Sequence, residues 1–449
     1  MAAGSARSAH QATIKLPMPH TGQRIVHEQM RRYNFLCCGR RWRKTTLAMA
    51  VMVEQAMARQ AEYVWSAPTY KQARRGWTEM QRACEPLAQF HESRFEAHFP
   101  NGSIVYFLSL EEHDNKRGYT SFGTVIDEAS EVSAVAYQTV MRPMLSDTGG
   151  WLLAFGTPKG RNWFYGEVQR ALHGDDPNSR AWVAPTLGAT LTGDGALIRT
   201  PHPLENPEFS WSELEHEHET LPERVFRQEY LAEFLDDAGG VFRNVESCVG
   251  GELLYGPPNR VNQYVIGIDL AKHQDYTVLC VGDLREKQLV AFDRFNKADW
   301  PLQKARIIEA ALRWNNALVW MDSTGVGDAI FDDLLAAGLR IHPFKFTSAS
   351  KEQLINNAVL LVEQQSVRFP RIPVLLDELK ALQYTQLPGG GLRIAAPEGL
   401  HDDAVMAFAL MCWPMARGQG GQLSSQAIQQ LRGPSISEFG GVRVLGKVF

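Results

Sequence analysis

Short apolar runs and amphipathic stretches alternate along the first half of the chain. "NFLCC", "YVWSAP", "SIVYFLSL", "GTVIDEAS" and "WLLAFGTP" are strand-like, and each ends in small, polar or charged residues. Helical patterns separate them from about Tyr33 to Leu235. This rhythm predicts an α/β domain in which crossover helices join the strands of a mainly parallel sheet. Ligands of such sheets sit beyond the carboxyl ends of the strands, where these polar residues fall. "HETLPERVFRQEYLAEFL" reads as an amphipathic helix, and the Gly- and Pro-rich "DDAGGVFRN" and "GGELLYGPPNR" after it read as a linker. A second strand-rich unit opens at "QYVIGIDLAKHQDYTVLCVGD", contains the hairpin-like "YTQLPGGGLRI" and closes with the helix "DDAVMAFALMCWPMA". The expected organisation is an arm over 1–20, a first domain over 21–236 with a small subdomain near its end, a linker over 237–258, a second domain over 259–416 and a flexible Gly-, Gln- and Ser-rich tail over 417–449.

Composition narrows the class. A chain of 449 residues exceeds one ordinary core, which agrees with two domains. The 44% hydrophobic and 21% charged residues are the balance of an ordinary globular protein. No apolar run approaches the roughly 18 residues that span a bilayer, and the first twenty residues lack the apolar core of a secretory signal. The cysteines (Cys37, Cys38, Cys84, Cys248, Cys280, Cys412) form no C-x-x-C pair, so neither zinc nor a disulfide framework is indicated and a reducing cytoplasm fits. A net charge of −4 excludes wholesale coating of nucleic acid but leaves room for a local basic groove.

Chemistry first surfaces in "LCCGRRWRKTT", residues 36–46. A phosphate loop reads G-x-x-x-x-G-K-[ST] between a strand and a helix, its backbone amides cradling phosphates. With Lys44 and Thr45 on the K-[ST] pair, Cys38 and Arg43 occupy the two glycine positions, and Gly39, Arg40, Arg41 and Trp42 lie between them. Lys44 would reach the β- and γ-phosphates, Thr45 would hold Mg²⁺, and Thr46 continues into the helix. Farther on, "TVIDEAS" ends an apolar strand in Asp127, suited to orienting magnesium, and Glu128, suited to polarising the attacking water. Gly156-Thr157-Pro158 closes another strand, with Thr157 where a γ-phosphate would be sensed. Taken singly, each segment also reads as an ordinary strand-to-turn junction.

Together with "APTYKQAR", "RPMLSDTGGWLLAFGTPKG" and "NPEFSWSELE", these segments resemble the large terminase subunit, the packaging motor of tailed double-stranded DNA bacteriophages. The resemblance implies an N-terminal P-loop ATPase domain of the ASCE type, with an Arg-rich variant loop. The family usually has Gly where this chain has Arg43, which puts the loop conformation in question. It also implies an adenine-contacting glutamine upstream, supplied by Gln23, and an arginine finger acting on a neighbouring subunit. Arg142 is the candidate finger, with Arg40 and Arg41 as competitors. Lys71, Arg74 and Arg75 read either as DNA contacts or as a solvated helix face.

In the second unit Asp269 lies in an apolar strand, Asp322 ends a later strand, and Asp402 and Asp403 open the last helix. A carboxylate in an apolar strand is costly unless it is paired or binds a cation. This spacing matches a ribonuclease-H-like nuclease, with Asp269, Asp322 and Asp403 as ligands of two Mg²⁺ or Mn²⁺ ions and Asp402 kept beside them. Asp275 and His401 flank the expected site, and each also reads as a plain turn or helix-entry residue. The second half of the large terminase is such a nuclease.

The function expected from this resemblance is ATP-driven translocation of double-stranded DNA into a procapsid, with a two-metal endonuclease cutting concatemeric DNA. Its implied partners are double-stranded DNA, the portal, a small terminase subunit and further copies in a ring on the portal, with either a monomer or a ring when free in solution, and no membrane. The implied location is the host cytoplasm, transiently on the procapsid and not in the mature virion. Two alternatives stand beside it: a DNA-repair helicase-nuclease, which needs a second motor lobe, and a nucleotide-switched assembly scaffold, for which Arg43 is the best support.

Overall fold

The computed structural model describes residues 17–85, 87–111, 118–193, 195–235, 240–259, 261–270, 276–323, 327–386, 392–397 and 400–416. They group into two compact units. One holds the chain up to Val245 together with Leu376–Asp402, and the other holds Glu246–Leu375 and the chain from Asp403.

The first unit is built on β1 (Tyr33–Cys38), β2 (Glu62–Ala67), β3 (Gln89–His91), β4 (Glu96–His98), β5 (Ile104–Ser109), β6 (Gly123–Ile126), β7 (Trp151–Gly156) and β8 (Ser179–Ala184), in spatial order β3-β4-β5-β2-β6-β7-β1-β8. Pairings from β5 to β8 are parallel, and the edge strands β3 and β4 are antiparallel. The inner strands are near-continuous apolar runs because both faces of the sheet are covered. The chain enters through α1 (Thr21–Glu28), capped by His20. In β1, Leu36 and Cys38 join the core under α2 (Lys44–Ala58) and α3 (Tyr70–Cys84), while Phe35 and Cys37 point into the opposite core, against the helix Trp163–His173. A satellite core of Leu187, Leu214, Phe226, Tyr230 and Leu231 joins the small hairpin of β9 (Ala189–Leu191) and β10 (Leu197–Arg199) to the helices Trp211–Thr220 and Glu223–Glu229.

The second unit has a five-stranded mixed sheet of β11 (Tyr264–Asp269), β12 (Thr277–Asp283), β13 (Gln288–Phe295), β14 (Leu318–Asp322) and β15 (Ile341–Phe344), ordered β13-β12-β11-β14-β15. The pairs β11/β12 and β12/β13 are antiparallel, whereas β11/β14 and β14/β15 are parallel. Among the described residues this unit contains no second parallel-sheet motor lobe, the element a helicase would need.

The expected uninterrupted second domain, 259–416, differs from this grouping. The hairpin of β16 (Gln383–Gln386) and β17 (Leu392–Ala395) groups with the first unit: the Val241 amide donates to the Leu382 carbonyl at 2.9 Å, and Arg224 stacks on the Tyr384 ring at 4.4 Å. Residues 1–16 of the expected arm, Asp275 and the expected tail from 417 lie outside the described residues. All six cysteines are buried and unpaired by disulfides.

Candidate active sites

Parallel register gathers the first site. Leu36 pairs with Phe155 and Ile126 with Ala154, so the carboxyl ends of β1, β7 and β6 come out along one edge of the sheet. There stand the loop after Cys38, Thr157, and Asp127-Glu128. A cleft of about 480 Å³ opens at this edge, lined by Gly39, Arg41–Thr46, Glu79, Glu128, Asn206, Glu208 and Phe209. Its volume is in the range of small-molecule sites.

The loop is held from outside by its carbonyls. Thr186 Oγ1 donates to the Arg40 carbonyl at 2.6 Å, Asn206 Nδ2 to that of Arg41 at 2.9 Å and Gln23 Nε2 to that of Arg43 at 2.9 Å. His20 Nε2 lies 3.1 Å from the Trp42 carbonyl, and the buried Trp42 indole donates to the Leu204 carbonyl. With the carbonyls tied outward and the first-turn amides of α2 lacking intrahelical acceptors, the loop presents donors to an anion. Gly39 admits no side chain, since a Cβ there would stand 2.4 Å from Thr186 Oγ1 and 2.7 Å from the Tyr230 carbonyl.

Arg43 resolves the departure noted in the sequence. It lies in the left-handed region, at φ 67° and ψ 38°, which is the conformation that glycine adopts without cost. Arg41 (φ 61°) and Glu128 (φ 49°, ψ 49°) share that region, at roughly 1–2 kcal/mol per residue. Such strain clusters where a site fixes its geometry in advance. The Arg43 side chain pairs with Glu208 at 2.6 Å across the cleft.

Lys44 Nζ stands 3.2 Å from Glu128 Oε1 and 3.4 Å from Thr157 Oγ1. Burial weighs against its charge, but the neighbouring Cys38, Glu128 and Asp127 outweigh that, and the ammonium pKa lies above the ordinary lysine value. Burial pushes the Cys38 thiol to about 12, so at neutral pH the thiol is uncharged and the carboxylates carry the effect. Asp127 is pushed up to about 7, first by burial and then by Glu128, with Lys44 opposing. Its Oδ1 is buried and has no hydrogen-bond partner. A desolvated carboxylate with an orphaned oxygen, at the same sheet edge as the cleft lined by Thr45, is the donor chemistry that suits a hard divalent cation.

Other expected residues fall elsewhere. Gln23 is buried, its Oε1 accepting from the His20 amide and its Nε2 bracing Arg43, so it supports the loop and does not line the cleft. Arg40 is tied to Glu229, whereas Arg41 lines the cleft. Arg142 is exposed and lies 5.6 Å from the Tyr33 ring, at the opposite end of β1 from the cleft. Lys71, Arg74 and Arg75 are exposed on α3, Arg74 being paired with Glu92. Sequence reasoning missed Glu79, Asn206, Glu208 and Phe209 in the cleft and Thr186 behind the loop. For Asn206 the turn-forming Asn-Pro pair was the available signal, and Glu208 and Phe209 lie in the same "NPEFSWSELE" stretch, whereas Glu79 and Thr186 had none.

The second site forms at one end of the mixed sheet. Ile268 pairs with Met321, so Asp269 and Asp322 end adjacent strands side by side. The helix Asp403–Ala416 crosses the same face, because a Cβ on Gly267 would meet the Ala407 carbonyl at 2.1 Å and the Met411 amide at 2.2 Å. Ala407 lies over Gly267, and Asp403, one turn earlier, lies toward Asp269. Asp403 is buried, and its Oδ2 accepts from the Tyr276 amide at 3.1 Å. Asp402 is half-buried and His401 exposed, both ahead of the helix. Among the described residues no three His, Cys, Asp or Glu side chains are closed into metal-holding geometry. The backbone thus brings the three aspartates to one end of the sheet. Hard carboxylate oxygens in such a set fit Mg²⁺ or Mn²⁺ by their chemistry.

With this geometry in hand, the chain is similar to known proteins along both units. Residues 36–247 match the family described as terminase large subunit, T4likevirus-type, N-terminal, and residues 266–411 match the terminase RNaseH-like domain. The large terminase subunit of Thermus virus P23-45 is 30% identical over 87% of this chain and 86% of its own. That of Escherichia phage T5 is 24% identical over 57% of each chain. A solved large terminase from a thermophilic bacteriophage shares the fold at 12% identity, covering 89% of this chain and 99% of that one with a TM-score of 0.59.

Proposed function

The chain belongs to the large terminase subunit family, the ATPase-nucleases of bacteriophage DNA packaging, and on that premise we propose the roles of its individual residues. The observation that carries the ATPase assignment is the position of Lys44 Nζ within reach of both Glu128 Oε1 and Thr157 Oγ1, with Asp127 and then Glu128 following the end of β6. In this arrangement Lys44 pairs with Glu128. ATP entering the cleft takes Lys44 onto its β- and γ-phosphates and frees Glu128 to accept the proton of the attacking water. Thr157 then faces the γ-phosphate, while Arg41–Thr46 supply amide donors, the Gly39 and Arg40 amides being held by the Ala184 and Glu229 carbonyls. Thr45 and Asp127 would hold Mg²⁺, which neutralises charge on the transferred phosphoryl group.

In the second unit Asp269, Asp322 and Asp403 would hold two Mg²⁺ or Mn²⁺ ions, which would activate water and stabilise the leaving oxygen of a phosphodiester. Asp403 is oriented for this by the Tyr276 amide.

Arg142, exposed and remote from its own cleft, serves a neighbouring subunit's ATP in a ring docked on the portal. A small terminase subunit delivers the DNA, and the work takes place in the host cytoplasm on the procapsid. No described helix is long and apolar enough to cross a membrane. Two assays test these roles: ATP turnover by wild type, Lys44→Ala and Glu128→Gln, and plasmid cutting in Mn²⁺ by wild type, Asp269→Ala and Asp322→Ala. Turnover or cutting that survives its substitutions refutes the corresponding half. For Arg142, mixing Arg142→Ala with Glu128→Gln chains should recover ATPase activity in assembled rings, and no recovery sinks the trans-acting role.

A further inference from the structure

One cation beside the aspartates of the second unit has no role in the reading above. Arg294 on β13 pairs in register with Val278 on β12, which in turn pairs with Asp269 on β11. Residues opposed across antiparallel ladders project from the same face, so Asp269, Val278 and Arg294 form a row. The row lies on the face that carries the helix Asp403–Ala416, since Gly267, two residues before Asp269, meets that helix. Two strand spacings separate the backbones of Asp269 and Arg294, about 10 Å, much of which an arginine side chain can span.

The side chain is also aimed. Its guanidinium carbon stands 3.4 Å from the centroid of the Tyr276 ring, and the amide of that same tyrosine donates to Asp403 Oδ2 at 3.1 Å. Stacking on an aromatic face fixes the plane of the guanidinium. A planar, always-charged fork held in one orientation is the group best suited to two-point recognition of a phosphate. Three carboxylates repel a polyanion, so a strand approaching them needs a fixed cation close by.

We infer that Arg294 is a DNA-binding residue of the nuclease site that grips a backbone phosphate of the strand being cut, next to the phosphate at Asp269, Asp322 and Asp403. The inference rests on the nuclease reading above. Arg294 contacts substrate and takes no part in bond making. Its loss therefore weakens binding and leaves the chemical step largely intact.

The test uses the full chain in Mn²⁺ with short duplexes carrying single methylphosphonates, which remove one phosphate charge at a time, and cuts are mapped along the strand. In wild type, cutting should be suppressed at a fixed offset from the neutralised phosphate. Arg294→Gln should lose that offset-specific suppression, raise KM about tenfold with little change in kcat, and reduce the salt dependence of binding by about one phosphate contact. Arg294→Lys, which keeps the charge but not the fork, should recover part of the KM. The inference is overturned if Arg294→Gln cuts like wild type, or cuts poorly while keeping the suppression pattern, since the residue would then merely support Tyr276. A wild-type chain that neither cuts nor binds duplex DNA would fail the nuclease reading itself and take this inference with it.

Discussion

Asp127 is held in the folded chain at a cost that its removal should reveal. The residue is only 7% exposed and its buried Oδ1 lacks a partner. The rise from 3.8 to about 7 corresponds to ~4 kcal/mol between the neutral and ionised forms. Because the folded pKa is raised, this group favours the fold fully below the unfolded value, and the contribution is lost as pH climbs from near 4 through about 7. Asp127→Asn removes the titration but leaves an amide with unmet donors, which costs ~1–3 kcal/mol. The variant should therefore be more stable than metal-free wild type at pH 8, by ~1–3 kcal/mol, and equal or less stable at pH 5. Urea unfolding in EDTA, followed through the buried Trp42 and Trp65, reads the difference. The same variant should lose ATP hydrolysis. If Asp127→Asn is no more stable at pH 8, or wild type has the same pH slope as the variant, Asp127 is not the strained acid described here.

Further outcomes follow from particular contacts. Gly39→Ala should leave the fold intact but weaken ATP binding at least about tenfold by equilibrium titration, because its Cβ would collide with Thr186 Oγ1 and displace the phosphate-facing loop. Gly267→Ala should push the helix Asp403–Ala416 off β11, costing ~1–3 kcal/mol in unfolding and abolishing plasmid cutting with every aspartate still present. Trp42→Ala, which empties a fully buried indole site under the loop, should cost ~3–5 kcal/mol by denaturant titration.

What the sequence disclosed, and what it hid, follows from the range of the forces involved. Strand ends are written locally, so Asp127, Glu128 and Thr157 were identifiable from apolar runs closing in polar residues, and Lys44 from the K-[ST] pair between a strand and a helix. The grouping of Asp269 with Asp322 was accessible for the same reason. The conformation of Arg43 was not, because the loop is bent by carbonyl contacts to Thr186, Asn206 and Gln23, all distant in the chain. Gln23 illustrates the converse. Its place ahead of the loop suggested contact with a base, yet its amide is spent on the cap of the first helix and on the Arg43 carbonyl. Arg294 gave no local signal. It matters through a partner reached across a sheet.

The burial of every cysteine has a practical reach. Only thiolates react readily, and a thiol such as that of Cys38, pushed to about 12 with no route to solvent, supplies almost none at neutral pH. The native chain should thus be nearly silent to maleimides and mild oxidants. A single cysteine introduced on an exposed helix could carry a fluorophore without removing any native thiol, and labelling of the native six would itself report unfolding. For a motor whose stepping is best watched one molecule at a time, the fold supplies the dark background.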